Sequence, residues 1–251
     1  MIPTIDDLKS DKLIHKFGDT FNPPGLTNFI GNVQVNFDLT GIRSLNFPPF
    51  GCSDTITAGL FINNRYFPSL GLPISFQWYP DRVERESEYN GIYFKSITFL
   101  PFNTTSSIVL LLIENRSGRE QKLDIKFSLN STVTKNLKSW NQPLPPMEND
   151  NDFAFDKKRN AILFSALHSQ AFSLQGISEK VNDFNVVSLS TKISLKPNEK
   201  KTINYVNTIG DSLKNIYKEY DYLQNNYDKI LTETTNLWNA ELKSAFTPNN
   251  N

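Results

Sequence analysis

Apolar and polar side chains alternate through most of this chain, and near residue 210 the alternation gives way to a three- and four-residue spacing. The change predicts strands and turns from about residue 28 to residue 209, and helix from about residue 211 to residue 246. Val33, Val35, Phe37 and Leu39 alternate with Gln34, Asn36 and Asp38, the period of a half-buried strand. Segments 59–62 and 65–67 flank Asn63-Asn64, and segments 82–89 and 92–100 flank Asn90-Gly91; both pairs predict tight hairpins. Residues 108–113 are apolar throughout, which predicts a central strand packed on both faces. After a turn at 115–118, Leu123, Ile125, Phe127 and Leu129 face one way and Lys122, Asp124, Lys126 and Ser128 the other, so that sheet has one solvated side. Further strands are predicted at 161–167, 170–175, 184–195 and 200–207, and a long polar loop at 142–152.

The helix starts after Gly210, with Asp211 or Ser212 as its N-cap. Leu213, Ile216, Tyr217, Tyr220, Leu223, Tyr227 and Ile230 share one face, which Leu237, Trp238 and Leu242 continue. The β-branched stretch 232–235 is the expected place for a break, and Pro248 the expected end. An uninterrupted helix would be roughly 50 Å long. A face that long needs a surface to bury against; the strands cover part of it and leave the rest for something else. Hairpins without interleaved helices argue for a mainly β fold: a large antiparallel β-sandwich over residues 1–209, then a long C-terminal helix over 210–251.

Composition narrows the function classes. The 251 residues carry 26 basic and 26 acidic side chains, so net charge supplies no reason to expect nucleic acid or an anionic membrane as a partner. One cysteine, Cys52, excludes an internal disulfide framework and multi-cysteine metal sites. With only His15 and His168 besides, no metal centre or cofactor is expected. No basic segment followed by an apolar run opens the sequence, so the expected location is cytoplasmic.

Several constellations could carry chemistry. Gly210-Asp211-Ser212-Leu213 matches the nucleophile block of the Gly-Asp-Ser-Leu esterases, but no histidine follows Ser212 to act as base, and the plainer expectation is a helix N-cap. Glu84, Glu86 and Glu88 lie two apart on one strand, about 6.5–7 Å from each other. That suits an inverting glycosidase in distance only, because such acids face each other across a cleft; a solvated strand face is expected. Arg85 falls on the opposite face with Val83, Ser87 and Tyr89, so it must be paired or line a pocket. Trp78 and Tyr79 next to Arg82 suit stacking on a sugar and recognition of its hydroxyls. His15, His168 and Cys52 have no partner in sequence that would make them ligands or nucleophiles.

Residues 71–85 (Gly-Leu-Pro-Ile-Ser-Phe-Gln-Trp-Tyr-Pro-Asp-Arg-Val-Glu-Arg) lead into the Asn90-Gly91 hairpin. Leu110 to Gly118, Trp140, Gln175-Gly176, Leu195 to Lys200 and a closing helix with Leu237-Trp238-Asn239 follow in order. From about residue 25 onward this order resembles the N-terminal β-sandwich (supersandwich) domain and linker helix of glycoside hydrolases with an (α/α)6 six-hairpin catalytic barrel. The resemblance implies a carbohydrate-active parent enzyme that works with two carboxylic acids. It also implies that those acids sit in the barrel, which would begin about where Thr247-Pro248-Asn249-Asn250-Asn251 ends this chain. No catalytic residue is therefore assigned here. Trp78, Tyr79, Arg82 and Arg85 are the candidates for a substrate rim, and the expected partners are the (α/α)6 domain, in cis or as a separate chain, and an oligosaccharide. The alternative is a stand-alone carbohydrate-binding or protein-interaction module that uses Trp78 or Trp140.

Overall fold

The computed structural model describes residues 2–16, 18–19, 23–52, 55–135 and 150–247. Five strands come first: β1 (Leu13–His15), β2 (Gly25–Thr27), β3 (Asn32–Val35), β4 (Ile42–Phe47) and β5 (Phe50–Gly51). Next are β6 (Gly59–Ile62), β7 (Arg65–Tyr66), β8 (Ile74–Trp78), β9 (Arg82–Tyr89) and β10 (Ile92–Phe99). The middle of the chain forms β11 (Ser106–Asn115), β12 (Gln121–Ser128), β13 (Thr134–Lys135), β14 (Asn151–Asp156) and β15 (Ala161–Ala166). Strands β16 (Phe172–Ile177), β17 (Asp183–Asn185), β18 (Ser188–Leu195) and β19 (Lys200–Gly210) precede helix α1 (Leu213–Ala245).

Nine strands make one antiparallel sheet in the order β1-β8-β9-β10-β11-β19-β16-β15-β14. Two five-stranded sheets, β17-β18-β12-β6-β7 and β13-β5-β4-β3-β2, share a single core with its inner face. The alternation in β11 shows how. Val109, Leu111 and Ile113 enter that core, whereas Ile108 and Leu110 point the other way, into a second cluster with Ile216, Tyr220, Leu223 and Ile230 of α1. The apolar run 108–113 is thus a central strand covered on both faces, as predicted. The fold is a mainly β sandwich with its C-terminal helix laid along the outside of the larger sheet. Each fully buried aliphatic or aromatic side chain on the helix contributes about 1.5–3 kcal/mol to that docking.

Both predicted hairpins form. Asn63, Asn64, Asn90 and Gly91 all have positive φ, the backbone of a two-residue turn whose twist matches the strands it joins. Three expectations need correction. The strand expected through Leu39 stops at Val35, because Asn36 N–H bonds the Gly41 carbonyl at 2.8 Å and closes a tight loop. The strand expected over 184–195 is two, β17 and β18, separated where the Asn185 side chain accepts the Val187 N–H at 2.9 Å. The irregularity in α1 lies at Asn226 (φ −129°), not at 232–235. There the Asn225 and Asn226 amides bond back to the carbonyls of Asp221 (2.6 Å) and Tyr222 (2.8 Å), in competition with the helical ladder. Strands β1, β2, β4 and β14 carry no alternation long enough to announce them, whereas in β8 Ile74, Phe76 and Trp78 alternate with Ser75 and Gln77. Of the predicted loop 142–152, β14 takes the last two residues; 142–149, like Trp140 and Pro248, lie outside the described residues.

Candidate functional site

The corner between β8 and β9 is a turn in which Tyr79 N–H donates to the Arg82 carbonyl at 2.8 Å, with Pro80 at the position that suits its fixed φ. At the end of β8, the Trp78 indole N–H donates to the Gly25 carbonyl at 3.0 Å, and the indole packs beside β2. The N-terminal segment ties this corner to α1. Ser10 and Trp78 bond each other at 2.9 and 3.0 Å, and Ile5 N–H donates to Asn239 Oδ1 at 3.1 Å. Thr235 Oγ1 donates to buried Asp81 at 2.6 Å. The C-terminal half of α1 is thereby fixed over the β8–β9 corner.

A groove of about 720 Å³ opens between these pieces. Trp78 and Pro80 line it from the corner, Trp238 and Leu242 from α1, and β2, β3 and β4 supply Thr27, Asn32, Gln34 and Ser44. Beside it, the ring of Phe29 lies 5.1 Å from Trp238 and 5.8 Å from Phe102. Phe29 is 65% exposed and has φ +66°, a strained backbone for an aromatic residue. Asn28 holds that strain: its amide donates to the carbonyls of Pro101 (2.7 Å) and Thr104 (2.9 Å) and accepts from Gly31 N–H at 3.1 Å. Gly31 itself must be glycine, since a Cβ there would stand 2.3 Å from the Asn46 carbonyl oxygen.

Of the four residues predicted for a substrate rim, only Trp78 lines the groove. Tyr79 is buried, and its ring carries the Arg82 guanidinium at 3.8 Å. Arg82 is held through Nη1 by Asp81 at 3.0 Å and through Nε by Glu84 at 2.8 Å, so those two donors are engaged within the protein. Arg85 corrects the expectation outright: it has no exposed surface and lies inside the sandwich, where it braces the 36–41 loop. Sequence reasoning passed over Phe29, Phe102 and the groove-lining role of Trp238, because they meet only in three dimensions.

The carboxylate row is a solvated, ion-paired strand face. Glu84 pairs with Arg82 and, at 2.7 Å, Lys95; Glu86 pairs with Lys12 at 2.8 Å; Glu88 lies 3.9 Å from Arg116. Burial acts to raise the Glu84 carboxyl, and the bonds from Lys95 and Arg82 override it and hold the group below its ordinary value. Ser212 is the N-cap, accepting from Asn215 N–H at 3.5 Å, and Asp211 pairs with Lys135 at 2.6 Å. Ser212→Ala should therefore lower the unfolding free energy by about 1 kcal/mol, readable in denaturant melts, and should change no other property. His15 is buried between the carbonyls of Lys16 and Phe37, each at 3.1 Å, whereas His168 is 82% exposed. Burial pushes the Cys52 thiol up to about 12, which leaves almost no thiolate to act as a nucleophile at neutral pH. Among the described residues no three His, Cys, Asp or Glu side chains gather as metal ligands. No helix among them is long and apolar enough to cross a membrane.

No family model matches this chain, and no curated protein matches it in sequence. Solved structures match it in fold. A protein described as a kojibiose phosphorylase, from the human microbiome, superposes with a TM-score of 0.56 and 13% identity, over 91% of this chain and 37% of that one. A bacterial glucoamylase solved with acarbose superposes with a TM-score of 0.50 and 10% identity, over 93% of this chain and 41% of that one. The chain thus spans about two fifths of the length of each, and at these identities the likeness is one of fold.

Proposed function

We infer that this chain is the non-catalytic N-terminal sandwich domain of a carbohydrate-active enzyme, with α1 as the linker toward an (α/α)6 catalytic domain supplied in cis or as a separate chain. The observation that carries the reading is the order of a large sandwich and then one long helix, extending over about two fifths of two proteins named as a phosphorylase and a glucoamylase. The acids support it from the other side. Glu84 and Glu86 are spent on lysine and arginine along one strand, and no cleft separates them into a proton donor and a nucleophile or base. The sandwich would serve as the platform on which the catalytic domain is oriented.

Two measurements test this. The encoding locus should carry an (α/α)6 coding region, in frame after residue 251 or beside it as a separate chain; its absence from both places overturns the reading. The purified chain alone should cleave none of a panel of aryl glycosides. Turnover that disappears in Glu84→Gln would place the chemistry in the sandwich and sink the proposal.

A further inference from the structure

We propose that this chain matures only where no oligosaccharide is transferred to asparagine, because two of its three acceptor sequences are turns that the fold needs intact. The three are Asn103-Thr104-Thr105, Asn115-Arg116-Ser117 and Asn130-Ser131-Thr132, each an Asn-x-Ser/Thr acceptor for N-linked glycosylation. Their surroundings in the fold are very different.

Asn115 closes β11 and has no exposed surface. Its amide donates both hydrogens, to the carbonyls of Arg119 at 2.8 Å and Leu195 at 2.9 Å. Its Oδ1 accepts from the Ser117 N–H at 2.9 Å and the Ser117 hydroxyl at 2.6 Å. The side chain thus uses every hydrogen-bonding position it has, and it ties the β11–β12 turn to the end of β18. Asn130, just after β12, is 3% exposed. Its amide donates to the Thr55 carbonyl at 3.2 Å, and its Oδ1 accepts from the Thr132 N–H at 2.9 Å and the Thr132 hydroxyl at 2.6 Å.

The two buried sites are built alike. In each, the asparagine oxygen bonds the backbone N–H two residues on, as in an Asx turn, and the hydroxyl of that same residue adds a second bond. Such a turn calls for asparagine first and serine or threonine third, so the acceptor sequence is a by-product of turn chemistry. Asn103 differs. It is exposed in the β10–β11 turn with φ +56°, and Thr105 donates its hydroxyl to the Ile209 carbonyl instead.

Glycosyl transfer forms a bond between Asn Nδ2 and C1 of the sugar. The C1–O bond to the lipid-linked pyrophosphate donor breaks, the pyrophosphate leaves on its lipid, and Nδ2 gives up one proton. The product amide keeps a single N–H. Asn115 uses two, and neither buried site has room for so bulky a group. Transfer acts on the emerging chain, before these turns close, so burial in the finished fold gives no protection. A glycan at Asn115 or Asn130 then bars its turn from forming, whereas one at Asn103 stands in solvent.

The full chain is expressed in a eukaryotic cell twice, with an added leader that directs it into the secretory pathway and without one. Without the leader it should fold and carry no glycan. With the leader, secreted yield should rise several-fold when assembly of the lipid-linked donor is blocked. It should also rise in Ser117→Ala/Thr132→Val, which keeps both asparagines and removes both acceptor sequences. Glycopeptides of Asn115 and Asn130 should occur only in retained, unfolded material, and secreted protein should carry its glycan at Asn103. Wild-type secretion that the block does not improve overturns the proposal, whether the two sites are skipped or are occupied in a folded protein. So does a deficit that persists in the double variant when that variant folds normally without the leader.

Discussion

Arg85→Ala should destabilise the protein by about 3–5 kcal/mol, the range for removing one partner of a buried charge pair. Arg85 Nη1 donates to the carbonyls of Asp38 (2.9 Å) and Gly41 (3.0 Å), and Nη2 to Thr98 Oγ1 at 2.6 Å. The Asp38 carboxylate lies 3.9 Å away, has no exposed surface, and accepts from Gly41 N–H at 2.5 Å and Leu60 N–H at 2.9 Å. One arginine from the nine-stranded sheet thus pins the loop between β3 and β4, and through Asp38 that loop reaches β6 of the other small sheet. Truncation takes that donor from the Asp38 carbonyl, leaves the Gly41 carbonyl only the Asn36 N–H, and leaves the carboxylate without its cation.

The loss should depend on pH, with a definite sign. Burial pushes the Asp38 carboxyl above its ordinary value, and the nearby guanidinium opposes the push. Without Arg85 the folded-state value rises further. A group whose folded-state pKa is raised costs nothing below its unfolded value, about 3.9, and costs more as pH climbs through the folded one. Urea melts should therefore show a smaller deficit near about pH 4 than near about pH 7, and Asp38→Asn in the Arg85→Ala background should recover part of the neutral-pH loss. A deficit under about 1 kcal/mol, or one that does not change with pH, would mean that the pair is not what holds the loop.

Arg85 also shows how far the sequence reaches. Alternation in β9 placed it on the inward face opposite Glu84 and Glu86, and that placement holds. What alternation cannot say is which inward face. A strand has one side toward its own core whether that core is dry packing or a cleft, and only the partner, an aspartate 47 residues earlier, decides between them. The same limit hid the groove. Trp78 stood out because aromatic, proline and charged residues cluster around it. Trp238 fell on the face of α1 that already carried Ile230, and read as packing. It meets β2–β4 only because the sandwich folds its first hairpins against the end of its last helix. Local turns, in contrast, were legible to the residue, since Asn-Asn and Asn-Gly adopt positive φ at little steric cost.

Gly176→Ala should be the most disruptive single-methyl change at the helix–sheet interface, costing about 3 kcal/mol, the upper end of the overpacking range. Gly176 lies in β16 directly under α1. A Cβ there would stand 2.1 Å from the Tyr220 hydroxyl, 2.6 Å from the Ala161 Cβ and 2.8 Å from the Asn160 carbonyl oxygen. Two of those are fixed by the backbone, so the tyrosine must give way. Tyr220 is fully buried and its hydroxyl donates to the Arg159 carbonyl at 3.2 Å, while Gln224 donates to it at 3.1 Å. Arg159 in turn grips Asp221 through two bonds of 2.7 Å, so displacing the ring strains the contacts that dock the first half of α1. Tyr220→Phe alone should cost about 1 kcal/mol for its hydrogen bonds. In combination the two changes should cost less than their sum by more than about 0.5 kcal/mol, because the phenylalanine removes the atom that the new methyl meets first. Urea melts of the four proteins give the cycle, and strict additivity would mean that the helix is not seated through Tyr220. If the helix is the linker to a catalytic domain, the same pair controls its direction. A loosened seat would then reduce the activity of the joined enzyme while leaving the acids of the other domain untouched.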